Sequence, residues 1–119
     1  MLKGIVFSMN TAYQNALDTL KERLKEVFTP EAVSDVILFG SVANGKDTVA
    51  SDIDVMIILD NDDKIVDWDT EKKVRAIAFD IELSHDVVFD LKVMDRKMLR
   101  SQEGHTPFVE KVLTEGISA

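Results

Sequence analysis

Val36-Ile37-Leu38-Phe39-Gly40-Ser41-Val42-Ala43-Asn44-Gly45, continued by Ser51-Asp52-Ile53-Asp54-Val55-Met56-Ile57-Ile58-Leu59, is the stretch on which the fold of this chain turns. Val36 to Phe39 is a short apolar run, β-branched at its start and ended by Gly40, and reads as a buried strand. Gly40 to Ser51 is a loop by composition. Ile53 to Leu59 is the next strand, with Ile53, Val55 and Ile57 on one face and Asp52, Asp54, Met56 and Ile58 on the other. Two Asp at positions i and i+2 of a strand point to the same side, with α-carbons about 6.5–7 Å apart. At that spacing both carboxylates can ligate one divalent ion, or bracket a pair of ions about 3.5–4 Å apart. Like charges held so close cost energy unless a cation neutralises them. A strand this apolar accepts the pair only at a cost, which points to chemistry. The bland alternative is a strand end at which Asp52 and Asp54 face water. The Gly-Ser turn upstream favours the former, because exposed backbone N–H groups and a hydroxyl make a cradle for phosphate oxygens. Gly40 also admits positive φ and close approach of a ligand.

Outward from this stretch the chain alternates helix and strand. Over Asn10 to Phe28, Tyr13, Leu17, Leu20, Leu24 and Val27 recur at three- and four-residue steps, one face of a helix. Thr11 to Gln14 has capping-box spacing. Thr29-Pro30 breaks the helix and caps one further short turn, with Pro30 at the first helical position. Asp60 to Asp63 is a polar break. Asp67 to Leu83 reads as a second helix with Val74, Ile77, Ala78 and Ile81 as its buried stripe. Val87 to Met94 reads as a third strand, with Val88, Asp90 and Lys92 opposite Phe89, Leu91 and Val93. Thr106-Pro107 opens a last helix with Phe108, Val109, Val112 and Leu113 on its apolar side and Gly116 as terminator. The order indicates an α/β (α+β) domain, a small mixed β-sheet packed against helices, over residues 1–119 as one unit.

Composition narrows the function. The 119 residues carry a net charge of −8 and no cysteine. That excludes a disulfide scaffold, a Cys-ligated zinc site and a thiol nucleophile. An apolar share of 45% fits a folded domain. No apolar run nears the roughly 18–20 residues of a membrane span. Met1 to Ser8 lacks the apolar stretch and small-residue site of a signal peptide, so a cytoplasmic chain is expected. A pI near 4.6 disfavours a nucleic-acid partner, whose phosphates need excess Lys and Arg. It leaves open a single nucleotide bound through metal ions.

The joined pattern Gly40-Ser41-x-Ala43-x-Gly45 and Ser51-Asp52-x-Asp54 resembles the signature of the DNA polymerase β-like nucleotidyltransferase superfamily. The chain's length is similar to that of its minimal nucleotidyltransferase branch. The resemblance implies a polymerase β palm-like fold. It implies that Gly40, Ser41 and Ser51 serve the nucleotide's phosphates and that Asp52 and Asp54 bind Mg²⁺ in a two-metal site. It also implies a third carboxylate on a later strand. Asp90 matches it, with Asp86 and Asp95 as weaker alternatives. Two positions depart from the pattern. Many members carry Arg in the Gly-Ser loop, where Val42 and Asn44 stand here, and Lys46 follows Gly45.

Rival readings of the same residues fail on spacing. Gly40 to Asp47 is one residue from a P-loop, but Asp47 replaces the Mg²⁺-binding hydroxyl and the loop leads into a strand, not a helix. Asp60 to Asp63 lacks the Gly and the ligands of an EF-hand. His85 and His105 are isolated and suit helix-end or surface roles. Trp68, near a helix start, suits an anchor or interface. Lys92, Arg96, Lys97 and Arg100 form a solvated basic face, in which Lys92 also shares the strand face of Asp90 and so could meet phosphate.

The expected activity is Mg²⁺-dependent transfer of a nucleoside monophosphate, AMP from ATP or its counterpart from another nucleoside triphosphate, to a hydroxyl. Asp52, Asp54 and Asp90 are the catalytic and metal residues. Little chain remains to wall a small acceptor, and the acidic surface disfavours nucleic acid, which leaves a protein hydroxyl. Minimal family members are often antitoxins paired with all-helical HEPN-type toxins, and such a toxin is the expected partner. A non-catalytic module that neutralises this partner by docking is the alternative. Self-association is left open.

Overall fold

The structure is a computed structural model that describes residues 2–3, 11–40, 52–60, 67–100 and 106–118. Along the chain it runs β1 (Leu2–Lys3), α1 (Thr11–Phe28), β2 (Val33–Phe39), β3 (Ile53–Leu59), α2 (Trp68–His85), β4 (Phe89–Asp95), α3 (Arg96–Arg100), α4 (Pro107–Glu115) and β5 (Ile117–Ser118). The strands form one mixed sheet in the order β1-β5-β2-β3-β4. β2 pairs antiparallel with both β3 and β5, whereas β3 pairs parallel with β4 and β1 parallel with β5. A parallel pair needs a crossover, and α2 supplies it between β3 and β4.

Alternation along the strands divides the core in two. Ile53, Val55, Ile57 and Leu59, with Leu38 and Leu91 beside them, meet Leu17, Leu20 and Leu24 of α1 and the stripe Val74, Ile77, Ala78 and Ile81 of α2. On the opposite face Ile37, Met56 and Ile58 meet Val109 and Val112 of α4. Full burial of each such Leu or Ile contributes about 1.5–3 kcal/mol, which is why the strand parity is strongly specified. The α/β class, the mixed sheet and the helices packed on it are as the sequence predicts.

Local chemistry sets the helix ends. Asp67 caps α2, its Oδ1 accepting from the Thr70 N–H at 2.8 Å. That bond holds the Asp67 carboxyl below its ordinary value. Thr106 caps α4 through its Oγ1, which accepts from the Val109 N–H at 3.2 Å, and Pro107 follows in the first turn. Thr29, at φ +73°, ends α1 in the left-handed region.

Several expectations need correction. Val27 is 51% exposed, because the last turn of α1 runs past the surface that buries Leu24. Residues 30–32 form a turn and not a helix. β2 starts at Val33, ahead of the apolar run. A register shift lies between Val33 and Asp35, and side chains pin the segment: Arg96 donates to Ser34 Oγ, and Ser118 Oγ donates to Asp35 Oδ2 at 3.1 Å. The third strand is shifted by two residues at its start, and Val88 is exposed. Phe108 is exposed at 45%, and packs edge-to-face on Phe39. β1, α3 and β5 are additions. Asn61 to Asp63, His105 and the cap of α1 lie outside the described residues. No described helix is long and apolar enough to cross a membrane.

Candidate active site

Asp54 is the second residue of β3, and the sheet places a different functional group on each side of it. In the antiparallel ladder its partner is Phe39, the last residue of β2; in the parallel ladder its partner is Asp90. Cross-strand partners share a face, so Asp54 and Asp90 lie side by side on the face that also carries Met56 and α4. The start of β4 is held in place at two points. Ile53 N–H donates to Val88 O at 2.8 Å, and Phe89 N–H donates to Glu82 Oε2 at 2.8 Å.

This proximity is electrostatically costly. Burial pushes the Asp54 carboxyl above its ordinary value of 3.8, and the Asp90 charge, a side-chain hydrogen bond with Asp90 and the Asp52 charge push it further, with partial relief from Lys92. Burial and the neighbouring Asp90 charge both disfavour the ionised form of Asp54. Lys92 Nζ lies 3.6 Å from Asp90 Oδ1, both side chains about half exposed, so this pair offsets little of the repulsion. Asp52 stands exposed just ahead of β3 and acts on Asp54 through its charge.

Gly40 closes the other side. Its φ is +74°, and a Cβ placed there would come within 2.1 Å of Asp54 Oδ2 and 2.9 Å of Asp54 Cγ. Only glycine lets the backbone leave β2 in this conformation against the carboxylate. Beyond Gly40 lies a pocket of about 190 Å³ lined by Phe39, Gly40, Phe108, Lys111, Val112, Glu115 and Gly116. One stripe of α4 therefore forms a wall beside the acids. Phe108 belongs to the helix's apolar pattern, whereas nothing in that pattern assigns Lys111 or Glu115 a role. Their one-turn spacing next to Gly116 was the available signal.

The structure thus brings together Gly40, Asp54 and Asp90, with Asp52 near. Ser41 and Ser51 lie outside the described residues, as do Val42, Asn44 and Lys46. The weaker acid alternatives are elsewhere. Asp86 takes φ +52° as the C-cap of α2. Asp95 sits opposite Leu59 at the far end of β4, on the other strand face from Asp90. It is 2% exposed, and its Oδ1 accepts from the Lys97 N–H at 2.6 Å. His85 lies at the end of α2, its Nδ1 3.2 Å from Ile81 O. Arg96 is engaged with Ser34 and Asp60.

Among the described residues no three acids or histidines already surround one point as metal ligands. The donor chemistry nonetheless fits a hard divalent cation. All the donors are carboxylate oxygens, and the Asp54–Asp90 pair carries repulsion that such a cation relieves.

No curated protein matches the chain. The family model described as nucleotidyltransferase domain matches residues 17–114. That span runs from α1 to the last turn of α4 and takes in each strand and helix that builds the acidic face, and the chain belongs to the nucleotidyltransferase domain family.

Proposed function

We propose that this protein transfers a nucleoside monophosphate, AMP from ATP, to a hydroxyl on a partner protein, and that Asp52, Asp54 and Asp90 are its working acids. The observation that carries the reading is the in-register pairing of Asp54 with Asp90 beside Gly40. A pair of repelling carboxylates against a bare backbone suits a cation and a phosphate better than it suits stability alone.

Asp52 and Asp54, with Asp90, would hold Mg²⁺. When bound, the metal neutralises the triphosphate and the charge that develops at the α-phosphorus. Gly40, with Ser41 and Ser51, lets the phosphates approach the strand end. Asp90 is exposed, so it can meet the incoming hydroxyl and accept its proton as the acceptor oxygen bonds to phosphorus. The bond to the bridging oxygen breaks, and pyrophosphate leaves.

A second reading, a docking module that neutralises a helical partner without chemistry, also has support. Trp68, Phe79 and Leu83 of α2 are 72%, 57% and 70% exposed. They recur at helical spacing on the face turned away from the core, as an interaction stripe would. The same stripe favours a protein acceptor, with a HEPN-type toxin as the leading candidate.

Calorimetry tests the site. The wild type should bind ATP with Mg²⁺, and Asp52→Asn combined with Asp54→Asn should not. Equal binding by both refutes the assignment. Labelled ATP and Mg²⁺ with the product of the adjacent reading frame should yield a labelled Tyr, Ser or Thr. An unlabelled complex on gel filtration would favour the docking module instead.

A further inference from the structure

The pocket between α4 and the end of β2 shares Gly40 with the acidic face but is built from different chemistry. Its walls are the rings of Phe39 and Phe108, whose centroids lie 5.6 Å apart with planes at 78°. The edge-to-face contact with Phe39 covers at most one face of the Phe108 ring, and Phe108 is 45% exposed.

The other walls complete a shallow slot. Gly116 lets the end of α4 lie directly on β2, since a Cβ there would strike Ile37 Cγ2 at 2.4 Å and Val112 O at 2.5 Å. That close seat forms the floor. Lys111 and Glu115, one turn apart, bring a donor and an acceptor to the lining. At about 190 Å³ the space is below the ~300–1,000 Å³ of pockets that enclose a whole drug-sized ligand. It suits one planar ring system with the rest of its molecule outside. The acids next to Gly40 are where the remainder would lie.

We propose that this pocket takes the base of the nucleotide, with Phe108 as its stacking wall; the proposal rests on the nucleotidyl-transfer reading above. Stacking on a π-face serves any base, so the pocket supplies grip more than base selection.

Calorimetry with three probes separates the two ideas: ATP with Mg²⁺, tripolyphosphate with Mg²⁺, and adenosine alone. The variants are Phe108→Ala and Phe108→Tyr, each checked by circular dichroism for the wild-type fold. Loss of one stacked base weakens binding roughly 5- to 150-fold. Phe108→Ala should lose ATP affinity by such a factor, keep tripolyphosphate affinity and bind no adenosine, while Phe108→Tyr restores both nucleoside probes. Wild-type ATP affinity in Phe108→Ala overturns the pocket and leaves the acid site standing. Equal loss of ATP and tripolyphosphate also overturns it. A wild type that binds adenosine but neither phosphate probe upholds the pocket and overturns the acid site; one that binds none of the three overturns both.

Discussion

Gly40→Ala separates backbone strain from contact with the acid. The alanine must adopt φ +74°, which costs an L-residue about 1–2 kcal/mol. Its Cβ would also sit 2.1 Å from Asp54 Oδ2, so the carboxylate must swing out of its rotamer, at about 0.5–1.5 kcal/mol. The expected loss is roughly 1.5–3.5 kcal/mol, on the order of 10 °C in Tm for a domain of this size. In an Asp54→Ala background the carboxylate is gone and only Asp54 Cβ remains near, at a tight but tolerable 3.2 Å. Gly40→Ala should then cost only the backbone part. Asp54→Asn keeps the side-chain volume and should keep the full cost. Chemical denaturation of the wild type, the three single variants and the two double variants yields the coupling directly. A coupling between Gly40→Ala and Asp54→Ala within the roughly 0.3–0.5 kcal/mol scatter of independent sites refutes the close approach. Under the same reasoning Gly40→Ala should weaken ATP-Mg²⁺ binding, because the displaced carboxylate is one of the proposed ligands.

Three further outcomes follow from the same geometry. Asp90→Asn should slow transfer by about 10²–10⁴-fold, as loss of a general base does, with nucleotide affinity nearly unchanged; normal rates in that variant alongside impaired Asp86→Asn or Asp95→Asn would give the role to that other acid. Because the Asp54 carboxyl is raised, the native state binds its proton more tightly than the unfolded chain does. That contribution is fully present below pH 3.8 and is lost as pH rises through the raised value. Without metal, Asp54→Asn should therefore gain stability over the wild type from pH 4 to pH 7, and a constant difference in Tm across that range counts against the carboxyl pair. Thr106→Ala removes the cap of α4 and should cost about 1 kcal/mol in urea denaturation, with no change if the Oγ1 bond to Val109 N–H is idle.

What the sequence revealed, and what it withheld, follows from the range of the interactions involved. α2 was legible because Val74, Ile77, Ala78 and Ile81 repeat at the helical period and Asp67 announces the start. β3 was legible because its seven residues alternate between two buried faces. β1 and β5 are two residues each and exist only through pairing, Leu2 with Ile117 and Ile37 with Ser118, so no local pattern could announce them. Gly116 was read as a helix stop, and it is one, but with φ −70° its glycine answers to the side chain of Ile37, far off in the chain. The candidate site divides in the same way. Parity along each strand told which face Asp54 and Asp90 occupy. It could not tell that they are partners. Sliding β4 by two residues against β3 preserves every buried face, yet it would set Asp90 beside Met56 or Asp52 in place of Asp54. The register is decided by the length of the α2 crossover and by how Glu82 and Val88 anchor the return, through the Phe89 and Ile53 N–H groups. Chemistry at this sheet end therefore rests on a helix that contributes no residue to it. A one-residue insertion between Phe89 and Asp90, past both anchors, would move Asp90 to the opposite face, and its partnership with Asp54 would be lost.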